Sequence, residues 1–245
     1  MPSFLLGILH PRRLEFFLDS IKKIDFIDKA FAENMPSNVA NETLRNFALD
    51  KGYDYLILTA DDVVVTEYAL KQIVKAVLFH DYPITTGWSL IRPRMKIANI
   101  TLFPPKNIEK KIGKLLYLHE YGFLPTRMID ENLRKDVDVF QVWFVGFSLT
   151  AVRRDALKDW EVRGWFFQPH PTFQPVEHQG KKGFWSGFDL WFSYDMWRKG
   201  YKKLCVLKAY VDHEPIGYSH GWGALLVGKE EPRLRFEEAT KPMVL

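Results

Sequence analysis

The chain has 245 residues, 47% hydrophobic and 26% charged, with 34 Lys and Arg against 30 Asp and Glu for a net charge of +4. No break in composition divides it, so one α/β domain with appendages is expected, with ample material for a core; a charge this mild does not point to nucleic acid. A single cysteine, Cys205, excludes an intramolecular disulfide, no apolar run approaches the roughly 18 residues of a membrane span, and the N-terminus lacks a basic-then-apolar signal pattern. A cytoplasmic protein is expected, with at most peripheral contact at a membrane surface.

Residues 3–9, SFLLGIL, read as a first strand. His10, Pro11 and Arg12 follow, and an apolar stripe of Leu14, Phe17, Leu18 and Ile21 makes a helix to about Lys23. Residues 25–32 read as a second strand, Glu33 and Asn34 as a loop, and residues 37–51 as a helix stopped by Gly52. Residues 53–65, YDYLILTADDVVV, then form an apolar run of the kind buried on both faces in a parallel sheet, interrupted by Asp61 and Asp62. Strand alternating with helix in this way argues for βαβ units. A helix over 66–81 and a strand over 83–91 come next. Arg92, Arg94 and Lys96 lie just beyond, where they could meet phosphate or remain solvated. Residues 104–135 are hard to read. Their Lys106, Lys110, Lys111 and Lys114 suit a solvated face or a contact with anionic lipid.

Residues 138–152, DVFQVWFVGFSLTAV, read as a strand broken at Gly146, followed by a short helix from Arg153. Residues 164–187, rich in Trp, Phe, Pro, Gly and His, have the composition of a long functional loop. A helix from Phe188 stops at Gly200. A last strand over 203–211 ends in Asp212, His213 and Glu214, and the glycines of SHGWG at 219–223 would let the tail move.

Two acids at the carboxyl end of a buried strand face the crevice where open α/β sheets bind ligands, and paired carboxylates suit a divalent cation carrying phosphates. A solvated strand end with a helix cap is the plain alternative. Together with VWFVGFSLTAVRRDAL and SGFDLWFSYDMWRKGYKKLCVLKAYVDHE, this order of segments resembles the nucleotide-sugar glycosyltransferases of the GT-A fold, especially the family-2-like ones. The resemblance covers about residues 3–214. It implies a single GT-A (Rossmann-like) α/β domain with a mostly parallel central sheet flanked by helices, and leaves 215–245 as a tail that could close over the site.

The resemblance further implies a nucleotide diphosphate sugar as donor and Mn²⁺ or Mg²⁺ as cofactor. The acceptor would be a hydroxyl of a glycan, a lipid-linked molecule or a protein. Asp61 and Asp62 resemble the family's DxD motif, with Ala60 or Thr59 where a full motif has its other Asp, so either acid could be the metal ligand. His213 resembles the histidine that completes the metal site or touches the donor phosphates; a satisfied structural imidazole is the other reading. Asp189 matches the general base, with Phe188 in place of the usual Glu. A base within reach of the acceptor hydroxyl contributes roughly 10²- to 10⁴-fold, whereas an acid in a helix's first turn is also favoured by the macrodipole alone.

His10, Pro11 and Arg12 match the region lining the nucleoside pocket, Glu33 the acid near the base, and Gly146 with Phe147 and Ser148 the segment under the donor sugar. Trp165, Trp185 and Trp222 could stack on the acceptor or fill the core. His170, His178 and His220 are weaker candidates. Inverting transfer by single displacement would follow. A nucleotidyltransferase would need a glycine-rich basic loop after the first strand, where GILHPRR supplies Arg12 and Arg13 but only Gly7. A sugar-binding or scaffold protein without turnover would fit the incomplete acid motif.

Overall fold

The computed structural model describes residues 2–10, 15–35, 37–92, 96–111, 122–167, 176–178, 181–213 and 231–245. β1 (Phe4–His10), α1 (Glu15–Lys22), β2 (Asp28–Glu33), α2 (Ser37–Lys51) and β3 (Tyr55–Ala60) alternate as the apolar pattern predicts. Gly52 ends α2 at φ +84, a left-handed backbone that glycine adopts without a steric penalty. The apolar run over 53–65 is interrupted at the acid pair, as acids at a strand's carboxyl end require: β3 stops at Ala60, and the valines form the separate β4 (Val63–Val64). In α3 (Glu67–His80) the Thr66 hydroxyl accepts from the Ala69 N–H at 3.1 Å, and Asp81 closes the far end in a left-handed conformation.

β5 (Ile84–Trp88), β6 (Leu90–Arg92), β7 (Ile97–Ala98), β8 (Ile100–Thr101), α4 (Ile108–Lys111) and α5 (Thr126–Leu133) follow. Residues 138–152 make three strands instead of one: β9 (Val139–Val142), β10 (Phe144–Val145) and β11 (Thr150–Arg153), which leads into α6 (Arg154–Asp159). Residues 164–187, expected as a loop, carry β12 (Trp165–Phe167), β13 (Val176–His178) and β14 (Lys181–Ser186), a small antiparallel sheet in the order β12-β14-β13. Aromatic and β-branched runs favour strand even among glycines and prolines. α7 (Phe188–Arg198), β15 (Lys203–Tyr210), β16 (Asp212–His213) and β17 (Arg233–Glu237) complete the chain.

The central sheet has the order β17-β2-β1-β3-β11-β5-β15-β9 among the described residues. β1, β2, β3, β5 and β15 share one direction; β9, β11 and β17 oppose it. The tail thus returns to the sheet, with β17 running antiparallel along β2 at the edge. Alternate side chains of the inner strands enter two apolar layers. Leu5, Leu9, Leu56 and Leu58 join Leu44 of α2 and Phe192 of α7, whereas Leu6, Ile8 and Ile57 join Phe17 of α1 and Ile73 of α3. Burial on both faces is why these strands read as continuous apolar runs. No helix among the described residues is long and apolar enough to cross a membrane.

Gly87 shows how closely the middle of the sheet is packed. A Cβ there would lie 2.4 Å from the Ala209 carbonyl oxygen of β15, and that oxygen is backbone and cannot swing aside. Gly87→Ala should therefore cost about 1–3 kcal/mol, read as a lower urea midpoint at unchanged slope. A midpoint equal to the parent's would refute this close approach.

Candidate functional site

The site begins where β3 stops. The Asp61 N–H donates to the Leu9 carbonyl at 2.9 Å, fastening the turn to β1, and the Asp61 side chain is fully buried. Asp62 points the other way and keeps some exposure. β16 then pairs antiparallel with β4, setting Asp212 opposite Val64 and His213 opposite Val63. That register brings His213 Nε2 to 3.3 Å from Asp62 Oδ2. Residues at opposite ends of the sequence motif pattern are therefore neighbours in space.

The spacing between these two groups fits a shared divalent cation. Two ligands at cis positions of an octahedral ion with bonds of about 2.1 Å stand about 3 Å apart. Carboxylate with imidazole is also a donor set that Mn²⁺ accepts. Among the described residues no group of three or more His, Cys, Asp or Glu side chains converges to hold a metal. A cation on Asp62 and His213 would thus take its remaining ligands from phosphate and water, as such ions commonly do.

Beside the acid pair runs the segment of Gly146, Phe147 and Ser148. Thr59, near the end of β3, donates its hydroxyl to the Ser148 carbonyl at 2.8 Å. Asn99 bridges from the other side: its Nδ2 donates to Ser148 Oγ at 3.0 Å and its Oδ1 accepts from the Ser89 N–H at 2.8 Å. The Ser89 and Ser148 hydroxyls lie 3.0 Å apart. A Cβ on Gly146 would meet Asn99 Nδ2 at 2.5 Å, so the absence of a side chain there admits the Asn99 carboxamide. Ser89 and Asn99 carry no motif. Their only trace in the sequence is a lone polar residue in each of the apolar stretches GWSLI and IANI.

Asp189 occupies the first turn of α7, after Gly187 at φ +69. Its Oδ1 accepts from the Leu190 N–H at 2.8 Å. The residue is half-buried, yet the surrounding protein desolvates its carboxyl strongly, and burial pushes its pKa up to about 6 against that hydrogen bond. The helix is held to the Gly146 segment at several points. The Val145 N–H donates to Ser193 Oγ at 3.0 Å, and the Phe147, Trp160 and Phe192 rings meet edge to face. Arg163 clamps Asp195 through both carboxylate oxygens and lies over the Trp191 ring. A continuous path of contacts therefore runs from β3 through Ser148 and Val145 to the helix that carries Asp189.

The other expected positions fall around this framework. His10 is the last residue of β1, in register with Glu33. Glu33 is buried, with its two oxygens engaged by Arg233 and Arg235 of β17. Burial alone would raise its pKa, but those two guanidinium groups outweigh it and hold the carboxyl below the usual range. Arg235 also lies over the Phe31 ring. The sequence offered no reason to join RLRFE to Glu33. Trp165, Trp185 and His178 lie on the strands of the small sheet, Arg92 ends β6, and Lys96, Lys106 and Lys110 are exposed. Pro11, Arg12, Arg94, Lys114, His170, His220 and Trp222 lie outside the described residues.

Comparison of the sequence with protein-family models and with curated proteins gives no match. Solved structures do resemble the fold. The crystal structure of A197 from STIV matches with a TM-score of 0.50 at 16% identity, over 83% of this chain and 81% of that one. The crystal structure of GalNAc-T7 with UDP, GalNAc and Mn²⁺ matches with a TM-score of 0.52 at 14% identity, over 87% of this chain and 44% of that one. The chain thus corresponds to less than half the length of GalNAc-T7. At these identities the likeness speaks for architecture alone. The chain has a GT-A, glycosyltransferase-like fold: a single Rossmann-like α/β domain whose mostly parallel central sheet is flanked by helices.

Proposed function

We propose that the chain is a glycosyltransferase that moves a sugar from a nucleotide diphosphate sugar to a hydroxyl of a glycan, a lipid-linked molecule or a protein. The observation that carries this reading is the pairing of β16 with β4, which sets His213 beside Asp62 at the carboxyl end of the sheet. Asp62 and His213 would hold Mn²⁺ or Mg²⁺, and the buried Asp61 would fix the turn that presents Asp62. When bound, the cation neutralises charge that builds on the departing diphosphate.

The chain's own groups would do the rest. His10, Pro11 and Arg12 would border the nucleoside, with Glu33 acting through the two arginines it orders. The Gly146 to Ser148 backbone, held by Thr59 and Asn99, would form the floor beneath the sugar. Asp189 would accept the acceptor's proton as its oxygen attacks the anomeric carbon and the bond to the diphosphate breaks, giving inversion in one displacement. A carboxyl raised to about 6 is ionised at neutral pH and is a stronger base than an ordinary aspartate.

The first test is calorimetric titration with UDP, the nucleotide present in the GalNAc-T7 crystal, with Mn²⁺ and with chelator. Binding should need Mn²⁺ and weaken more than tenfold in Asp62→Ala and in His213→Ala. Equal affinity with chelator, or in both variants, would sink the proposed metal site.

Asp189 carries a separate prediction. Its folded pKa exceeds that of the unfolded chain, so between about pH 4 and 6 unfolding releases a proton and stability falls as pH rises. Asp189→Asn should therefore be more stable than the parent by about 1–3 kcal/mol at pH 7 and equal to it near pH 3.5, measured by urea unfolding. The same variant should lose transfer while retaining UDP binding, and parental transfer should rise through about pH 6. Full turnover by Asp189→Asn would exclude it as the base.

A further inference from the structure

β15 ends beside the acid pair but begins at Lys203, ten residues before His213 and so roughly 30 Å away for an extended chain. At that far end lies a cavity of about 590 Å³, whose lining includes Phe103, Phe140, Trp143, Trp197, Tyr201 and Lys203. Its size falls in the range of sites for small organic ligands, about 300–1,000 Å³. Two buried donors line it without an acceptor. Lys203 is 1% exposed and has no hydrogen-bond or ion-pair partner among the described residues. Trp143 is 2% exposed, and its indole N–H is also unpartnered.

An unpartnered ammonium inside a β-strand is costly, and a methionine or leucine would fill the same volume without that cost. Nothing in the sheet requires the amine: the backbone of Lys203 pairs with Ile84 on one side and Val142 on the other whatever its side chain. The remaining walls supply rings. Phe103 is 76% exposed and Trp197 37% exposed, so both have face area left to cover a planar body.

From this arrangement we infer that the cavity at the start of β15 is a second binding site, for a small aromatic carboxylate whose anionic end meets Lys203 and Trp143 and whose ring lies among Phe103, Phe140 and Trp197. A carboxylate would accept from both orphan donors at once and pair the buried ammonium. Desolvation holds the free lysine near a pKa of about 7, so it is partly charged at neutrality and the bound anion would draw it fully to the ammonium form.

The test uses 1-naphthoate and its uncharged counterpart 1-naphthamide as probes, titrated calorimetrically into the full chain at pH 6.5, where the amine is mostly protonated. Naphthoate should bind saturably and at least tenfold more tightly than naphthamide. Lys203→Met should bind naphthoate at least tenfold more weakly and should melt at a higher temperature than the parent, which shows that the variant is folded. Trp143→Phe should weaken naphthoate several-fold and leave naphthamide unchanged. Equal binding of acid and amide, undiminished binding of naphthoate by Lys203→Met, or no saturable binding at millimolar probe would each overturn the proposal.

Discussion

Strand β11 runs antiparallel between β3 and β5, and buried hydroxyls hold it there. Thr150 donates to the Gly146 carbonyl at 2.7 Å, the Thr86 hydroxyl lies 2.7 Å from that of Thr150, and Thr59 donates to the Ser148 carbonyl at 2.8 Å. Each such bond contributes about 1 kcal/mol net, but a buried hydroxyl left unpaired costs about 1–3 kcal/mol, so the set is hard to break one member at a time. The reversal has a topological effect as well. A parallel strand in this slot would leave the sheet at its carboxyl end, whereas β11 enters there. The segment that feeds it, from Val145 to Ser148, is therefore laid along the crevice beside Asp61 and Asp62. The seating of α7 rests on that entry, because Val145 holds Ser193 of the helix.

Much of this was legible in the sequence where local chemistry decides the outcome. β1 and β3 are buried on both faces and read as strands. Gly52 marked a helix end because a left-handed glycine is a local solution to unpaired backbone groups. The nearness of His213 to Asp62 was legible only through the resemblance to the glycosyltransferase motifs, not through strand pattern. The shared direction of β1, β2 and β3 was legible from the helices between them, but neither the reversal of β11 nor the splitting of 138–152 was, since an apolar run looks the same read from either end. β17 escaped for another reason. Three of the five residues of RLRFE are charged, and its arginines find their partner in Glu33, a residue 200 positions before Arg233. Asn99 and Ser89 were silent because a single polar residue in an apolar run announces burial with a partner but not which partner.

The tail also changes the character of Glu33. An acid at the end of β2 would, if exposed, be a direct contact for a ligand at the sheet edge. With Arg233 and Arg235 across from it, it is instead the buried centre of an ion-pair cluster, in which Arg235 also pairs with Glu237 and Glu237 with Lys29. The cluster is aligned by register: Arg233 stands opposite Glu33, which in turn stands opposite His10.

The adjacency of Asp61 and Asp62 bears on how such a bridge can be built. Acids separated by one residue share a face of an extended chain, because side chains alternate with a period of two; neighbouring acids diverge. Here the divergence is plain: Asp61 is fully buried beneath the turn, and Asp62 turns outward to His213. One strand end therefore presents a single carboxylate to the crevice, and the second group comes from β16, across a two-residue ladder with β4. Splitting the pair between strands makes its geometry depend on the docking of β15 and β16 and not on local backbone alone. It also lets the residue preceding the acids be Ala60, whose small side chain packs against both apolar layers where a third carboxylate would have to be solvated. The incomplete motif and the imidazole opposite Asp62 are in this sense one arrangement: His213 stands where the divergence of Asp61 leaves Asp62 without an acidic neighbour on its own face.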